Sequence, residues 1–296
     1  GSVMAIAEAL TNISMAPLAK SLKSISLSAN WMWPCKNEGE DAALYRAVEA
    51  CSDFACKLGI NIPTGKDSLS MTQKYGDEKV YSPGTVIISA GAEVSDIKKV
   101  VSPVVKNKGN MPLYHIDFSF DAYKLGGSAF AQSLNKVGSD VPTVKNPEYF
   151  RDAFLAVQQL VSEGLILAGH DISAGGLATC LLEMCFANTT GGLKVNLNQF
   201  KGDNDNTIVK ALFAENPGVV IQVSDDKASL VKKILEDAGV GFIKIAEVCE
   251  ERTIDLGCGI VLDIDQYRDI WYQTSYLLDR KQSFNGKAAE RYQNYK

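Results

Sequence analysis

Apolar residues recur along this chain with two different periods. Ile6, Leu10 and Ile13 follow helical spacing and Pro17 lies just beyond, which predicts a helix over residues 3–15. Leu44, Val48, Ala55 and Leu58 form one apolar stripe over residues 41–58, with Asp41 placed to cap that helix and Gly59 to end it. Between them, SISLSANWMWPCKNEGED predicts a strand and then a long loop, with a candidate ligand loop at Ser28 to Asn30. Trp31 and Trp33 there read as packing anchors rather than a stacking platform. VYSPGTVIISAGAEV, rich in Val and Ile, predicts a strand.

KNKGN, residues 106–110, is short, polar and holds Gly109, which marks a boundary. Beyond it MPLYHIDF reads as a strand, GGSAFAQSLNKVG as a helix, EYFRDAFLAVQQLVSEG as a longer helix and LILAG as a strand. GGLATCLLEMCFAN reads as an apolar helix, VVIQVS as a strand, KASLVKKILEDAG as a helix and FIKIAEV as a strand. The closing YRDIWYQTSYLLDRKQSFNGKAAERYQNYK is helical in pattern, then polar and frayed. This mixture predicts an α/β or α+β fold.

Composition narrows the function classes. The 296 residues suggest two domains, at about 150 residues each. Lys and Arg number 30 against 35 Asp and Glu, a net charge of −5 that argues against broad nucleic-acid binding. No stretch approaches the ~18 uninterrupted apolar residues of a membrane span. The opening stretch lacks a basic flank and carries Glu8 and Asn12 inside it, unlike a signal peptide. The seven cysteines are Cys35, Cys51, Cys56, Cys180, Cys185, Cys249 and Cys258, without a C-x-x-C; they read as reduced, mostly buried thiols of a cytosolic protein. Two histidines, His115 and His170, exclude a multi-histidine metal site.

Three stretches carry candidate chemistry. Glu8 and Asn12, four apart on one helix face, are either a pair of hard oxygen ligands of the kind Mg²⁺ accepts or a surface Glu with an unrelated Asn. LILAGHDISAGGLATCLLEM runs a strand into a glycine-rich loop that opens a helix at Gly175 or Gly176. Backbone N–H groups freed there would suit a phosphate, with Asp171 on a metal ion and Ser173 on a phosphate oxygen. In the alternative, Ser173 is an N-cap and the glycines serve close packing. His170 is a base or a structural residue. In PTGKDSLSM, Lys66 and Asp67 either reach a phosphate and a metal or form a β-turn with a solvated ion pair. No catalytic triad or nucleophile elbow is present.

Nine segments occur in a telling order: AEALTN, LSANWMW, GEDAALYRAV, GKDSLSM, VIISA, LGGSAFAQ, GHDISAGGL, LLEMCFAN and IWYQTSYLLDR. Together they resemble the second half of the synthetase region of the large phosphoribosylformylglycinamidine synthase (formylglycinamide ribonucleotide amidotransferase) family, from about residue 3 to about residue 285. The resemblance implies an aminoimidazole-ribonucleotide-synthetase-like two-lobe architecture. An incomplete first lobe would span 1–107, a C-terminal-type α/β lobe 108–267, and a helical tail 268–296. It implies a cytoplasmic, ATP-dependent, glutamine-using ligase of purine biosynthesis that turns the amide of formylglycinamide ribonucleotide into an amidine. ATP or ADP and Mg²⁺ are the implied cofactors.

By the motif E-A-L-T-N, Glu8 and Asn12 resemble magnesium ligands; by G-H-D-x-S, Asp171 resembles a further one and Ser173 a nucleotide contact. No role carries over to Lys66 or Asp67, and no catalytic residue is assigned. Ala174 stands where relatives usually have Asp in S-D-G-G, removing one acidic group. The implied partners are the first synthetase half and a glutaminase domain of the same polypeptide, and a small-molecule nucleotide substrate. The chain therefore reads as a segment of a longer polypeptide, expected to self-associate through the sheet edge that a missing partner leaves bare. Two roles stay open for the nucleotide site: reactive centre, or a bound nucleotide that braces the fold.

Overall fold

The computed structural model describes residues 1–109, 111–200, 206–257 and 259–295; Asn110 of the boundary stretch and Cys258 lie outside them. Helix α1 (Ser2–Ile13) and helix α2 (Glu40–Leu58) cover a small sheet built on strand β1 (Ile25–Met32). Strand β1 pairs in parallel with β2 (Asn61–Ser68) and antiparallel with β5 (Thr85–Ala92), turning Leu27 and Ala29 into the core. Ser28 to Asn30 are thus central strand, not a ligand loop. The β-turn reading of PTGKDSLSM also fails, because residues 63–68 complete β2, an exposed edge strand. Its polar composition hides it from the apolar period. A hairpin of β3 (Thr72–Tyr75) and β4 (Glu78–Tyr81) splits off the front of the VYSPGTVIISAGAEV strand. Helix α2 ends at Gly59 as expected but starts at Gly39; Asp41 lies inside the first turn, where its carboxylate accepts only the Ala42 N–H, at 2.8 Å.

The larger sheet holds β6 (Pro112–Asp117), β7 (Ala168–Asp171), β8 (Gly192–Val195), β9 (Gly218–Gln222), β10 (Phe242–Cys249), β11 (Thr253–Asp255) and β12 (Val261–Asp263). Their order is β12-β11-β8-β10-β6-β9-β7, and every pairing except β11 with β8 is antiparallel. Mixed helix and sheet therefore stand as expected, in an α+β manner. The helix expected over GGSAFAQSLNKVG shrinks to α3 (Ala129–Ser133), since Asn135 turns left-handed at φ 54° just after it. The remaining helices are α4 (Pro147–Ser162), α5 (Gly176–Phe186), α6 (Asn206–Phe213), α7 (Asp225–Asp237), α8 (Ile264–Gln282) and α9 (Lys287–Tyr295). The expected frayed end is helix α9 instead. Tyr295 stacks on Tyr272 at 4.0 Å and Tyr292 on Tyr276 at 4.3 Å, and Arg291 pairs with Asp279 at 2.6 Å.

Alternate residues of the central strands feed two cores. Tyr114, Ile116, Val219 and Ile221 join Phe150, Phe154 and Leu160 of α4; Leu113 and Val220 join Leu177 and Leu181 of α5. Each such buried side chain contributes about 2–3 kcal/mol. The first core continues through Ile6, Leu10 and Leu27, so the small sheet and α1 are packed onto the larger lobe. Buried Gln158 of α4 fastens that seam. Its Nε2 donates to the Ser14 and Ala16 carbonyls at 2.6 and 3.0 Å, and its Oε1 accepts the Leu18 N–H at 2.9 Å. The six described cysteines are free, and three of them, Cys51, Cys180 and Cys185, are buried. No described helix is long and apolar enough to cross a membrane.

Candidate functional site

Strand β7 ends at Asp171, and Ile172, Ser173 and Ala174 lead into Gly175 and α5. Gly175 and Gly176 sit at φ 88° and 68°, a region that L side chains rarely adopt. A Cβ at Gly175 would lie 2.1 Å from Thr179 Oγ1, and one at Gly176 2.7 Å from the Leu212 carbonyl oxygen. The glycines are therefore needed for close packing. Ser173 is not the N-cap: Gly175 is, and no side chain caps the helix. The amides expected to be open to a phosphate are engaged. Gly175 N–H donates to Glu215 Oε1 at 2.8 Å and Gly176 N–H to the Ser173 carbonyl at 3.0 Å. Glu215 also accepts the Ala129 N–H at 2.8 Å, joining the starts of α3 and α5.

Ser173 lines a cavity of about 300 Å³ together with Glu8, Gly126, Gly127 and Glu215. Asp171 lies beside it, only 7% exposed. Its Oδ1 is 3.2 Å from His170 Nδ1, while its Oδ2 is buried with no hydrogen-bond partner. The other imidazole nitrogen, Nε2, is 3.3 Å from Glu183 Oε2. Burial alone would discharge the His170 ring, but its bonds to Asp171 and Glu183 prevail and raise its pKa to about 10. His170 is therefore a held cation rather than a free base.

Helix α1 packs against β7 and brings Glu8 within the field of Asp171. Desolvation, then Asp171, then Glu215 push the Glu8 carboxyl above its ordinary range. Asn12, one turn on, lines a second cavity of about 370 Å³ that Glu8 shares with Ile88 and Ala90. Glu8 thus stands between Ser173 on one side and Asn12 on the other. Lys66 and Asp67 do not join them: both are exposed on the β2 edge, with Lys66 Nζ on Ser68 Oγ.

Among the described residues, no group of three or more His, Cys, Asp or Glu is close enough to hold a metal unaided. The residues present nevertheless fit a hard divalent cation. An orphaned, buried carboxylate oxygen leaves room for a further donor or a cation. Glu8 and Asp171 repel one another, and the oxygen set of Glu8, Asn12 and Asp171 is of the kind Mg²⁺ prefers. Sequence reasoning missed Glu215 and Glu183. Glu215 follows α6 in an E-N-P-G turn without local pattern, whereas Glu183 is the lone carboxylate on the apolar α5, which was a readable signal.

Comparison with known proteins agrees with the mixed helix-and-sheet fold. Residues 1–93 match the FGAR-AT PurM_N-like domain and residues 122–259 the C-terminal domain of AIR synthase related proteins. Human phosphoribosylformylglycinamidine synthase is 38% identical over 95% of this chain and 21% of its own length. A probable phosphoribosylformylglycinamidine synthase, chloroplastic/mitochondrial, from Arabidopsis thaliana is 36% identical over 94% of this chain and 20% of its own length. The chain thus spans about a fifth of these curated relatives. In fold it is similar to T. maritima PurL complexed with FGAR, with TM-score 0.67 and 16% identity over 90% of this chain and 42% of that one. It is also similar to hydrogenase maturation protein HypE in complex with ATP, with TM-score 0.59 and 15% identity over 86% of this chain and 74% of that one. Two domain matches in chain order and 36–38% identity across nearly all its residues thus make this chain similar to about one fifth of the length of these phosphoribosylformylglycinamidine synthases.

Proposed function

We propose that this chain supplies a Mg²⁺–nucleotide site to an ATP-dependent, glutamine-using carbon–nitrogen ligase that converts formylglycinamide ribonucleotide to formylglycinamidine ribonucleotide. A first synthetase half and a glutaminase domain of the same cytoplasmic polypeptide would complete the pocket and provide ammonia. Glu8, Asn12 and Asp171 would hold the ion and Ser173 would contact the nucleotide. When bound, Mg²⁺ offsets the charge of the polyphosphate. The buried, unpartnered Asp171 Oδ2 beside Glu8 carries this reading. The reading also draws on the relatives' names and on the ATP and FGAR bound by proteins of similar fold. Calorimetric titration with Mg–ADP tests it: Asp171→Ala should abolish measurable binding and Ser173→Ala weaken it. Wild-type affinity in Asp171→Ala would refute it.

One observation favours a second role, that of a brace. The cavity has Gly1, Met4 and Glu8 on one wall and Gly126, Ser173 and Glu215 on the other, so a ligand in it would clamp α1 to the larger lobe. The two roles separate in the full-length enzyme carrying Asp171→Ala. A lower melting midpoint with normal turnover per folded molecule identifies a brace; lost turnover with unchanged melting identifies a reactive centre. The exposed β2 edge also supports self-association of the isolated chain. Sedimentation as a strict monomer across micromolar concentrations would count against it.

A further inference from the structure

The assigned ligands leave unexplained what fixes the Asp171 carboxylate with one oxygen engaged and the other free. A continuous line of polar contacts leads from it to the tail of the chain. Asp171 Oδ1 meets His170 Nδ1 at 3.2 Å, and the same nitrogen lies 2.8 Å from the Asp171 carbonyl oxygen, pinning the ring. His170 Nε2 meets Glu183 Oε2 at 3.3 Å. The other Glu183 oxygen, Oε1, accepts the indole N–H of Trp271 at 2.9 Å. Trp271 belongs to α8 and rests on Phe186 of α5, with ring centroids 5.6 Å apart. Arg252 holds α8 from the same side, pairing with Asp265 at 3.1 Å and donating to the Cys185 carbonyl at the end of α5 at 3.0 Å. A carboxylate whose two oxygens are each bound to a different side chain has little rotational freedom, and it stops His170 from turning away from Asp171.

We propose that Glu183 is a positioning residue, held by Trp271 of α8 and holding His170, so that α8 sets the orientation in which Asp171 presents its free oxygen to a divalent cation. The proposal rests on the reading of Asp171 as a metal ligand. Its function would be to orient, since Glu183 reaches Asp171 through His170.

The test is binding of Mn²⁺–ADP to the full-length protein, followed by calorimetry and by the Mn²⁺ electron paramagnetic resonance line shape. Ligand-free melting is measured alongside. Glu183→Ala should weaken Mn²⁺–ADP by about tenfold or more with its ligand-free melting midpoint retained. Glu183→Gln, which keeps an acceptor for Trp271 but sets an amide N–H against the His170 Nε2–H, should restore at most part of the affinity. Trp271→Phe, which keeps the ring on Phe186 but removes the N–H, should weaken binding in the same direction by less. Wild-type affinity in both Glu183→Ala and Trp271→Phe, with binding lost in Asp171→Asn, overturns the proposal while sparing the site. Wild-type affinity in Asp171→Asn overturns the site itself. Should Glu183→Ala not fold, Trp271→Phe decides: unchanged affinity and line shape overturn the proposal.

Discussion

The two sheets use apolar residues in opposite ways. In the larger sheet both faces are covered, so Val219, Val220 and Ile221 of β9 are all fully buried and the strand reads as an unbroken apolar run. In the small sheet α1 and α2 cover one face only. Ile88 of β5 packs on the core while its neighbour Ile87 is 50% exposed, and β2 buries almost nothing. The larger sheet is a finished structural unit; the small one offers a free face and a free edge. The candidate ligands lie on the seam between them. The sharpest break of this comparison is a matched pair of truncations. Ile221→Ala should cost about 4 kcal/mol in urea unfolding, and Ile87→Ala less than about 0.5 kcal/mol. Equal costs would mean that the outer face of the small sheet is covered in solution.

Burial in the larger sheet also makes it acid-sensitive. His115 on β6 is 4% exposed between Tyr123 and Phe200. Desolvation, only partly opposed by Asp117, lowers its pKa from 6.5 to about 4. The unfolded chain therefore takes up this proton before the folded one does. Stability is fully present above pH 6.5, declines as pH falls and levels off below about 4, a total of about 3 kcal/mol. His115→Leu should flatten that part of the stability–pH curve, read by thermal melting in matched buffers. A slope left intact would assign the acid response elsewhere.

The seam itself was invisible in the sequence, for a physical reason. Helix α4 was legible from its apolar stripe, but nothing in EYFRDAFLAVQQLVSEG shows that Gln158 turns inward to bond a chain segment about 140 residues away. Gln158→Leu should cost about 2–3 kcal/mol, because it strands a buried N–H, a buried carbonyl and a half-buried one. Hydrogen exchange should accelerate first at Leu18. Exchange that accelerates equally throughout α4 would mean the glutamine serves its own helix rather than the seam.

Legibility followed length and layering. Strand β9 and helices α4, α5 and α7 were readable because long apolar periods survive where two layers meet. Strands β8, β11 and β12, of three or four residues, are too short to show a period, and β2 lacks one because it covers no core. Within the site, Glu8, Asn12, Asp171 and Ser173 were reached through motifs. The approach of Glu8 to Asp171 across α1 and β7, the unpartnered Asp171 Oδ2 and the engagement of the Gly175 amide are tertiary facts. Glu215 shows the limit: its carboxylate meets amides 86 and 40 residues away in sequence.

Glu215 also provides the finest test of the seam, because Glu8 comes from the small-sheet side and Glu215 from the larger lobe. Glu215→Gln keeps an oxygen for the Gly175 and Ala129 amides, so its cost in stability should stay below about 1 kcal/mol. The charge is what changes. The Glu8 pKa is raised by desolvation, Asp171 and Glu215, in that order, so removing the last should lower it while leaving it above the ordinary carboxylate value. A folded pKa above 4.5 means that ionising Glu8 opposes folding, so its contribution to stability falls as pH rises from 4.5 through the folded value. In Glu215→Gln that fall should be shallower, and the variant should gain on the wild type over this window. The Glu8 carboxyl carbon, followed by NMR titration, reports the shift directly. If it titrates identically in the two proteins, the carboxylates of the two lobes do not share a field, and the seam is a packing contact rather than the place where a cation would be gripped.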